Sequence, residues 1–214
     1  MQSRTSCRPD VAVMMFRRLV LVMSLALVAA CSKGPQLSKL PGGAVILAFG
    51  DSLTYGTGVV SEHSYPEVLA GLSGFKVVRS GVPGEISRQG KARLVTELVE
   101  HRPALVILCH GGNDVLRRLA PEKTEQNLRE MIQLVRDSGA DVVLVAVPEF
   151  GLFPEPPDFY EQIASQMEVP VEHRILSSLM SNRAMKSDQI HFNRAGYRQM
   201  AVAVHELLID AGAL

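Results

Sequence analysis

The sequence contains no tryptophan, only three cysteines among its 214 residues, and no excess of charge of either sign. Cys7, Cys31 and Cys109 are too few and too scattered for a disulfide framework or a zinc site. Twenty-two basic residues balance 22 acidic ones, and no basic stripe or run disturbs the balance. Nucleic acid is therefore not an expected partner. There is also no apolar run of the roughly 20 residues that a spanning helix needs. No internal repeat or low-complexity tract is present. The remainder, 47% hydrophobic and 21% charged, has the balance of an ordinary globular protein.

The longest apolar run, residues 19–30, has 12 residues and is interrupted by Ser24. Arg17 and Arg18 precede it, and Ala29 and Ala30 close it. A basic flank, a short apolar core and a small-residue end describe a secretory signal over residues 1–30. Cys31 follows directly, and Val28-Ala29-Ala30-Cys31 resembles a bacterial lipobox. That resemblance implies cleavage before Cys31 and diacylation of its thiol. The protein would then be exported to the bacterial cell envelope and tied by lipid to a membrane facing the periplasm. Cleavage after Ala30 with an incidental cysteine is the competing reading. An acidic residue and Cys7 lie ahead of the basic flank, so translation is expected to start at Met14 or Met15. Removing residues 1–30 takes away four Arg and one Asp, leaving 184 residues with a formal charge of −3. That length suffices for one domain with a sizeable core. Residues 31–43 contain Lys, Pro and Gly and are expected to be a tether, with residues 44–214 as the domain.

Residues 44–49 are six apolar residues running straight into Gly50-Asp51-Ser52. A short apolar run bounded by turn residues predicts a buried strand. Further strands are expected over 75–80, 104–109 and 141–147, with a short fifth inside 169–175. Helices are expected over 65–72, 87–100, 124–137, 159–167 and 193–211. The second of these should bury Leu94, Val95, Leu98 and Val99, and the third Leu128, Met131, Ile132 and Val135. The last should bury Tyr197, Met200, Ala201, Val204, Leu207 and Leu208. Residues 149–157 read as a loop, where Phe150, Leu152 and Phe153 are expected to hold an acyl or aryl group. Strands alternating with helices argue for βαβ units, a parallel sheet and helices on both faces. Ser52, Gly84 and the stretch Gly111-Gly112-Asn113-Asp114 each follow a strand, where open α/β sheets place their ligands.

A serine hydroxyl is a poor nucleophile alone; it needs a histidine to take its proton and a carboxylate to orient that histidine. Of six histidines, only His191 has an acid placed locally to orient it, Asp188, three residues earlier. A negative oxygen forming at the acyl carbon needs N–H donors. Three candidates follow strands: the backbone N–H of Ser52, that of Gly84, and the side-chain amide of Asn113. Asp51 and Asp114 are expected to make turn hydrogen bonds, and Cys109 to be a small buried residue of a strand. Gly56 and Gly58 lack the third glycine and the acidic residue of a dinucleotide fingerprint.

These blocks resemble the GDSL, or SGNH, hydrolase family. Gly50-Asp51-Ser52-Leu53 matches its first block, Gly84 its second-block glycine, and Gly111-Gly112-Asn113-Asp114 its Gly-x-Asn-Asp block. Asp188-Gln189-Ile190-His191 matches its Asp-x-x-His block. The four occur in order and span the domain from Ala44 onward. The resemblance implies a flavodoxin-like three-layer α/β/α sandwich with a mainly parallel five-stranded sheet. It implies hydrolysis of esters or thioesters with no metal and no cofactor. Ser52 would be the nucleophile, His191 the base and Asp188 its orienter, with Ser52, Gly84 and Asn113 forming the oxyanion hole.

The stretches Ser87-Arg88-Gln89-Gly90 and Ala92-Arg93-Leu94 are similar to the bacterial arylesterase and acyl-thioesterase/lysophospholipase branch. Three positions depart from it. His110 stands where that branch has an apolar residue, and Gln189 and Phe192 replace Gly and Pro. His110 is expected to be a packed strand-end residue, with tuning of the site as the alternative. The expected activity is a monomeric serine esterase acting on small aryl or acyl esters, thioesters and lysophospholipids. The same residues would serve a carbohydrate O-deacetylase of envelope glycans. A non-catalytic, acyl-binding envelope lipoprotein would show a broken triad, and none is broken.

Overall fold

The computed structural model describes residues 34–214. The expected signal segment, Arg17, Arg18 and the lipobox with Cys31 lie outside the described residues. Strand β1 (Val45–Gly50) is buried at every position but the first. It is the second strand of the sheet, flanked by β2 (Lys76–Gly81) and β3 (Leu105–Cys109), with β4 (Asp141–Val145) and β5 (Val171–Glu172) beyond. The order β2-β1-β3-β4-β5 is the flavodoxin-like doubly wound order, and all four pairings are parallel. A sheet covered on both faces reads as continuous apolar runs, which explains β3, buried at all five positions.

Eight α-helices lie among the described residues. They are α1 (Ser52–Tyr55), α2 (Tyr65–Ser73), α3 (Ser87–His101), α4 (Gly112–Leu116), α5 (Pro121–Asp137), α6 (Phe159–Gln166), α7 (Ile175–Ser181) and α8 (Arg194–Asp210). Helices α2 and α8 pack together, as do α3 and α5, and the two pairs form the outer layers. The expected faces of α5 and α8 are buried, except that Leu207 is only half-buried. The expected face of α3 is not. Leu94 and Leu98 are buried, whereas Val95 is 48% and Val99 71% exposed. The buried line is Ser87, Gly90, Leu94 and Leu98, a single narrow stripe. Residues 95 and 99 lie about 100° round the helix from it and face outward.

Three short helices were not expected from periodicity, because four to seven residues carry little of it: α1, α4 and α7. The expected tether is also shorter than its composition implies. Residues 35–214 form one unit. The Leu37 N–H donates to the Ala211 carbonyl (2.8 Å) and the Leu40 N–H to the Ala213 carbonyl (2.9 Å). The Ser38 N–H donates to Asp141 Oδ2 (2.9 Å), and Leu40 is buried. A Lys-, Pro- and Gly-containing segment is polar enough to be free, but Leu37 and Leu40 give it something to bury.

The register decides where chemistry can sit. Gly50 pairs with Gly81 on one side and Cys109 on the other, so three strands end at one level. The chain leaves them at Ser52, at Pro83-Gly84 and at Gly111-Gly112-Asn113, around the point where the strand order reverses. Helix α8 starts from the opposite end of the chain but returns to the same edge. Its first turn is packed so closely that a Cβ on Gly196 would overlap the Met185 carbonyl oxygen and lie 2.8 Å from the Phe192 Cβ. Helix propensity alone favours alanine over glycine by about 1 kcal/mol. We expect Gly196→Ala to destabilise instead, by about 1–3 kcal/mol from overpacking. Urea unfolding of the variant gives the sign directly, and a more stable protein would refute the packing argument.

Candidate active site

Ser52 is the first residue of α1, two residues beyond β1. Asp51 caps this one-turn helix, its Oδ1 accepting the Leu53 N–H at 3.1 Å. The serine is thus lifted on a tight strand-to-helix turn, half-buried, with its own N–H at a helix start where no intrahelical acceptor exists.

His191 comes from a loop between the 3₁₀ turn Arg183–Met185 and α8. That loop folds back on itself: Lys186 and Phe192 form an antiparallel bridge, and the Ser187 N–H donates to the His191 carbonyl (2.9 Å). Asn193 closes it by capping α8, accepting from the N–H groups of Ala195 (2.9 Å) and Gly196 (3.1 Å). Phe192, one of the departures from the family pattern, is fully buried and packs edge-on to Tyr197 at 5.6 Å. The Tyr197 hydroxyl reaches across to the Thr57 carbonyl (2.9 Å) and ties α8 to the loop that follows Ser52.

These constraints bring the three expected residues together. His191 Nε2 lies 2.9 Å from Ser52 Oγ, across 139 residues of sequence. Its Nδ1 lies 2.7 Å from Asp188 Oδ2. Asp188 Oδ1 accepts the N–H groups of Ile190 (2.7 Å) and His191 (2.8 Å), so the carboxylate fixes both the ring and the backbone that carries it. Burial raises the Asp188 pKa, but these hydrogen bonds and the neighbouring imidazole together outweigh it and hold the carboxyl at about 2. An ionised Asp188 keeps the hydrogen on Nδ1 and leaves the Nε2 lone pair facing the serine.

The three residues expected to supply the N–H donors line the same pocket as His191, and that pocket has a volume of about 250 Å³. Gly84 has φ 79°, a left-handed turn that a side chain would strain, and Arg117 Nη2 donates to its carbonyl (2.8 Å). Asn113 Nδ2 donates to Asp51 Oδ2 (3.1 Å) and to the Glu85 carbonyl (3.0 Å), so both of its hydrogens have protein acceptors. Asp51 is buried, and that burial raises its pKa despite the neighbouring histidines, the Leu53 N–H and the Asn113 amide. Asp114 is also buried; it accepts the Ser87 N–H (2.7 Å) and hydroxyl (2.6 Å) and pins the β3 exit to the start of α3.

Apolar residues complete the pocket: Leu53, Pro83, Leu116, Val147, Phe150 and Ile190. Leu116, Phe150 and Ile190 also wall a second cavity of about 200 Å³. Of the three loop residues expected to hold an acyl group, only Phe150 takes part. Leu152 and Phe153 are 87% and 84% exposed and line neither cavity. They sit at the loop tip, where apolar character alone gives no direction. Cys109 is buried as expected. His110 is fully buried and lines neither cavity, a packed residue at the end of β3. Sequence reasoning passed over Glu85, Arg93 and Arg117. Glu85 stands beside Gly84, and adjacency to a turn glycine was the one signal that could have marked it.

Comparison with known proteins agrees with this geometry. Residues 48–199 match the GDSL-like lipase/acylhydrolase family. The chain is 32% identical over 157 residues to thioesterase 1/protease 1/lysophospholipase L1 of Escherichia coli, covering 70% of this chain and 76% of that protein. It is 30% identical over 187 residues to an arylesterase of Vibrio mimicus, covering 81% of this chain and 90% of that one. The crystal structure of TesA superimposes with a TM-score of 0.69 at 28% identity, covering 78% of this chain and 99% of that structure. The serine, histidine and carboxylate meet at the sheet edge within a family match that runs from the first strand into the last helix, and the chain therefore belongs to the GDSL-like lipase/acylhydrolase family and is a carboxylic ester hydrolase.

Proposed function

We propose that the protein is a serine esterase that cleaves small acyl and aryl esters, and thioesters and lysophospholipids of matching chain, through an acyl-enzyme on Ser52. The contact between Ser52 Oγ and His191 Nε2 at 2.9 Å carries this reading. His191 Nε2 takes the hydroxyl proton as Oγ attacks the acyl carbon. The tetrahedral oxygen is met by the N–H groups of Ser52 and Gly84 and by Asn113 Nδ2. Since both Asn113 hydrogens have acceptors already, one must be shared between its present acceptor and the oxyanion. The intermediate collapses, the leaving group takes the proton from His191, and the acyl group stays on Oγ. Water, deprotonated by His191, releases the acid and restores the serine. Asp188 stays ionised throughout and holds the ring.

The acyl group is assigned to the wall formed by Leu116, Phe150 and Ile190, which continues into the second cavity. The relative's thioesterase and lysophospholipase activities and the other's arylesterase activity support this breadth. We place the enzyme in a bacterial envelope, held by a lipid on Cys31; the basic flank, the apolar run and the lipobox-like end support that placement.

Ser52→Ala should lower ester turnover by about 10³-fold or more. It should also abolish the mass shift that a fluorophosphonate adds to the wild-type chain; a labelled variant would place the nucleophile elsewhere. The Asp188 carboxyl, at about 2, is ionised at every pH where the protein is assayed and would lose its charge only as pH fell toward that value. Asp188 should therefore contribute no proton to the acid limb of kcat/KM. A proton taken up by Asp188 in that limb above pH 4, seen as a limb that Asp188→Asn removes, would refute this. Leu116→Trp should cost octanoyl esters about tenfold more than acetyl esters, because a methylene buried in an apolar pocket is worth about 0.8 kcal/mol and about two would be displaced. Equal losses on both esters would remove the acyl group from that wall.

A further inference from the structure

Glu85 meets the site at two points. Its backbone follows Gly84 directly, and its carbonyl accepts Asn113 Nδ2 at 3.0 Å. Its carboxylate, 6% exposed, is gripped from two elements. From α3, Arg93 donates Nε to Oε1 (2.9 Å) and Nη2 to Oε2 (2.7 Å). From the end of β3, His110 Nε2 lies 3.2 Å from Oε2. His110 Nδ1 accepts the Gly111 N–H (2.9 Å), which leaves the ring hydrogen on Nε2, pointing at Glu85.

The clamps are themselves held. The Arg93 guanidinium lies over the Phe49 ring (4.1 Å), bonds the Ser80 hydroxyl, reaches the Gly50 carbonyl (3.3 Å) and pairs with Glu97 (3.4 Å). Tyr160 donates to the His110 carbonyl (2.7 Å). Gly90 leaves room for the imidazole, since a Cβ there would overlap Nε2 and lie 2.7 Å from Cδ2. Burial would raise the Glu85 pKa, but Arg93 and His110 bring it down to about 2. A buried ion pair gives little net stability over a well-packed apolar replacement. Its placement under the Gly84–Glu85 peptide calls for another account.

We propose that Glu85 is a positioning residue for two of the three oxyanion donors, with Arg93 and His110 as its clamps. The carboxylate fixes the peptide that follows Gly84, and the carbonyl of the same residue aims the Asn113 amide. This inference rests on the oxyanion roles given above to Gly84 and Asn113. It also gives His110, a departure from the family pattern, a task one contact away from the donors.

The full chain should be compared as wild type, Glu85→Gln, His110→Leu and His110→Gln. Each is titrated with a fluorophosphonate to count active sites, then measured for kcat, KM and the Ki of an aryl trifluoromethyl ketone. Glutamine can place an N–H near the position of His110 Nε2; leucine cannot. Glu85→Gln and His110→Leu should lower kcat per active site by about 10- to 100-fold, part of the roughly 10²–10³ that a lost donor costs. KM should stay within about twofold, and the ketone should weaken in proportion to kcat/KM, since it mimics the transition state. His110→Gln should recover most of the loss. Unchanged kcat per titrated site in Glu85→Gln and His110→Leu, with only fewer active sites, would overturn the proposal and leave a purely structural cluster. A wild-type chain that neither reacts with the phosphonate nor turns over esters would instead overturn the serine-esterase reading.

Discussion

A hydroxyl and an imidazole separated by 139 residues meet at 2.9 Å, and nearly every local feature of the domain serves that meeting. Sheet register supplies one half. Because β1, β2 and β3 end level, Ser52 leaves the fold beside the turn holding Gly84 and the loop holding Asn113. The other half comes from the return of α8 along α2, with Tyr197 bonded to the Thr57 carbonyl and Phe192 sealed beneath the histidine. No single contact in this set is strong. Neutral hydrogen bonds contribute about 1 kcal/mol net. Geometry at the reacting atoms comes from many such contacts agreeing.

Four carboxylates divide the labour around the pocket, and only one of them touches the imidazole. Asp51 shapes the turn that lifts the serine and steadies Asn113. Asp114 joins the β3 exit to α3 through both the Ser87 N–H and hydroxyl. Glu85 is locked between arginine and histidine. Asp188 orients His191 while also holding the backbone that carries it. The three buried ones, Asp51, Asp114 and Glu85, spend their lone pairs on defined donors, which is how such groups are tolerated in a low-dielectric interior.

Much of this was legible in residue order. Strands β1, β3 and β4 are apolar runs leading into turn residues, and the paired Asp188 and His191 are three positions apart, so both fold class and triad could be read directly. What stayed hidden was of four kinds. Helices as short as α1 and α4 have too few residues to show a period. The outward turn of Val95 and Val99 depends on which line of α3 meets the rest of the fold, and Gly90, packed against His110, lies on that line. The clamp on Glu85 joins residues 85, 93 and 110, whose contact exists only once α3 lies across β1 and β3. Apolar composition likewise did not distinguish Phe150, in the pocket wall, from Phe153, in solvent.

The docking of residues 37–40 has a consequence for orientation. Asp141, which receives the Ser38 N–H, begins β4, and its partner Leu105 begins β3, so this contact lies at the end of the sheet where strands start. Ser52 lies where they finish. Strands of five or six residues separate the two ends by roughly 17–20 Å. Residues 37–40 therefore dock at the pole of the domain opposite the pocket. Residues 37–40 thus brace the sheet from behind and leave the rim around Ser52 untouched by the segment that enters the domain.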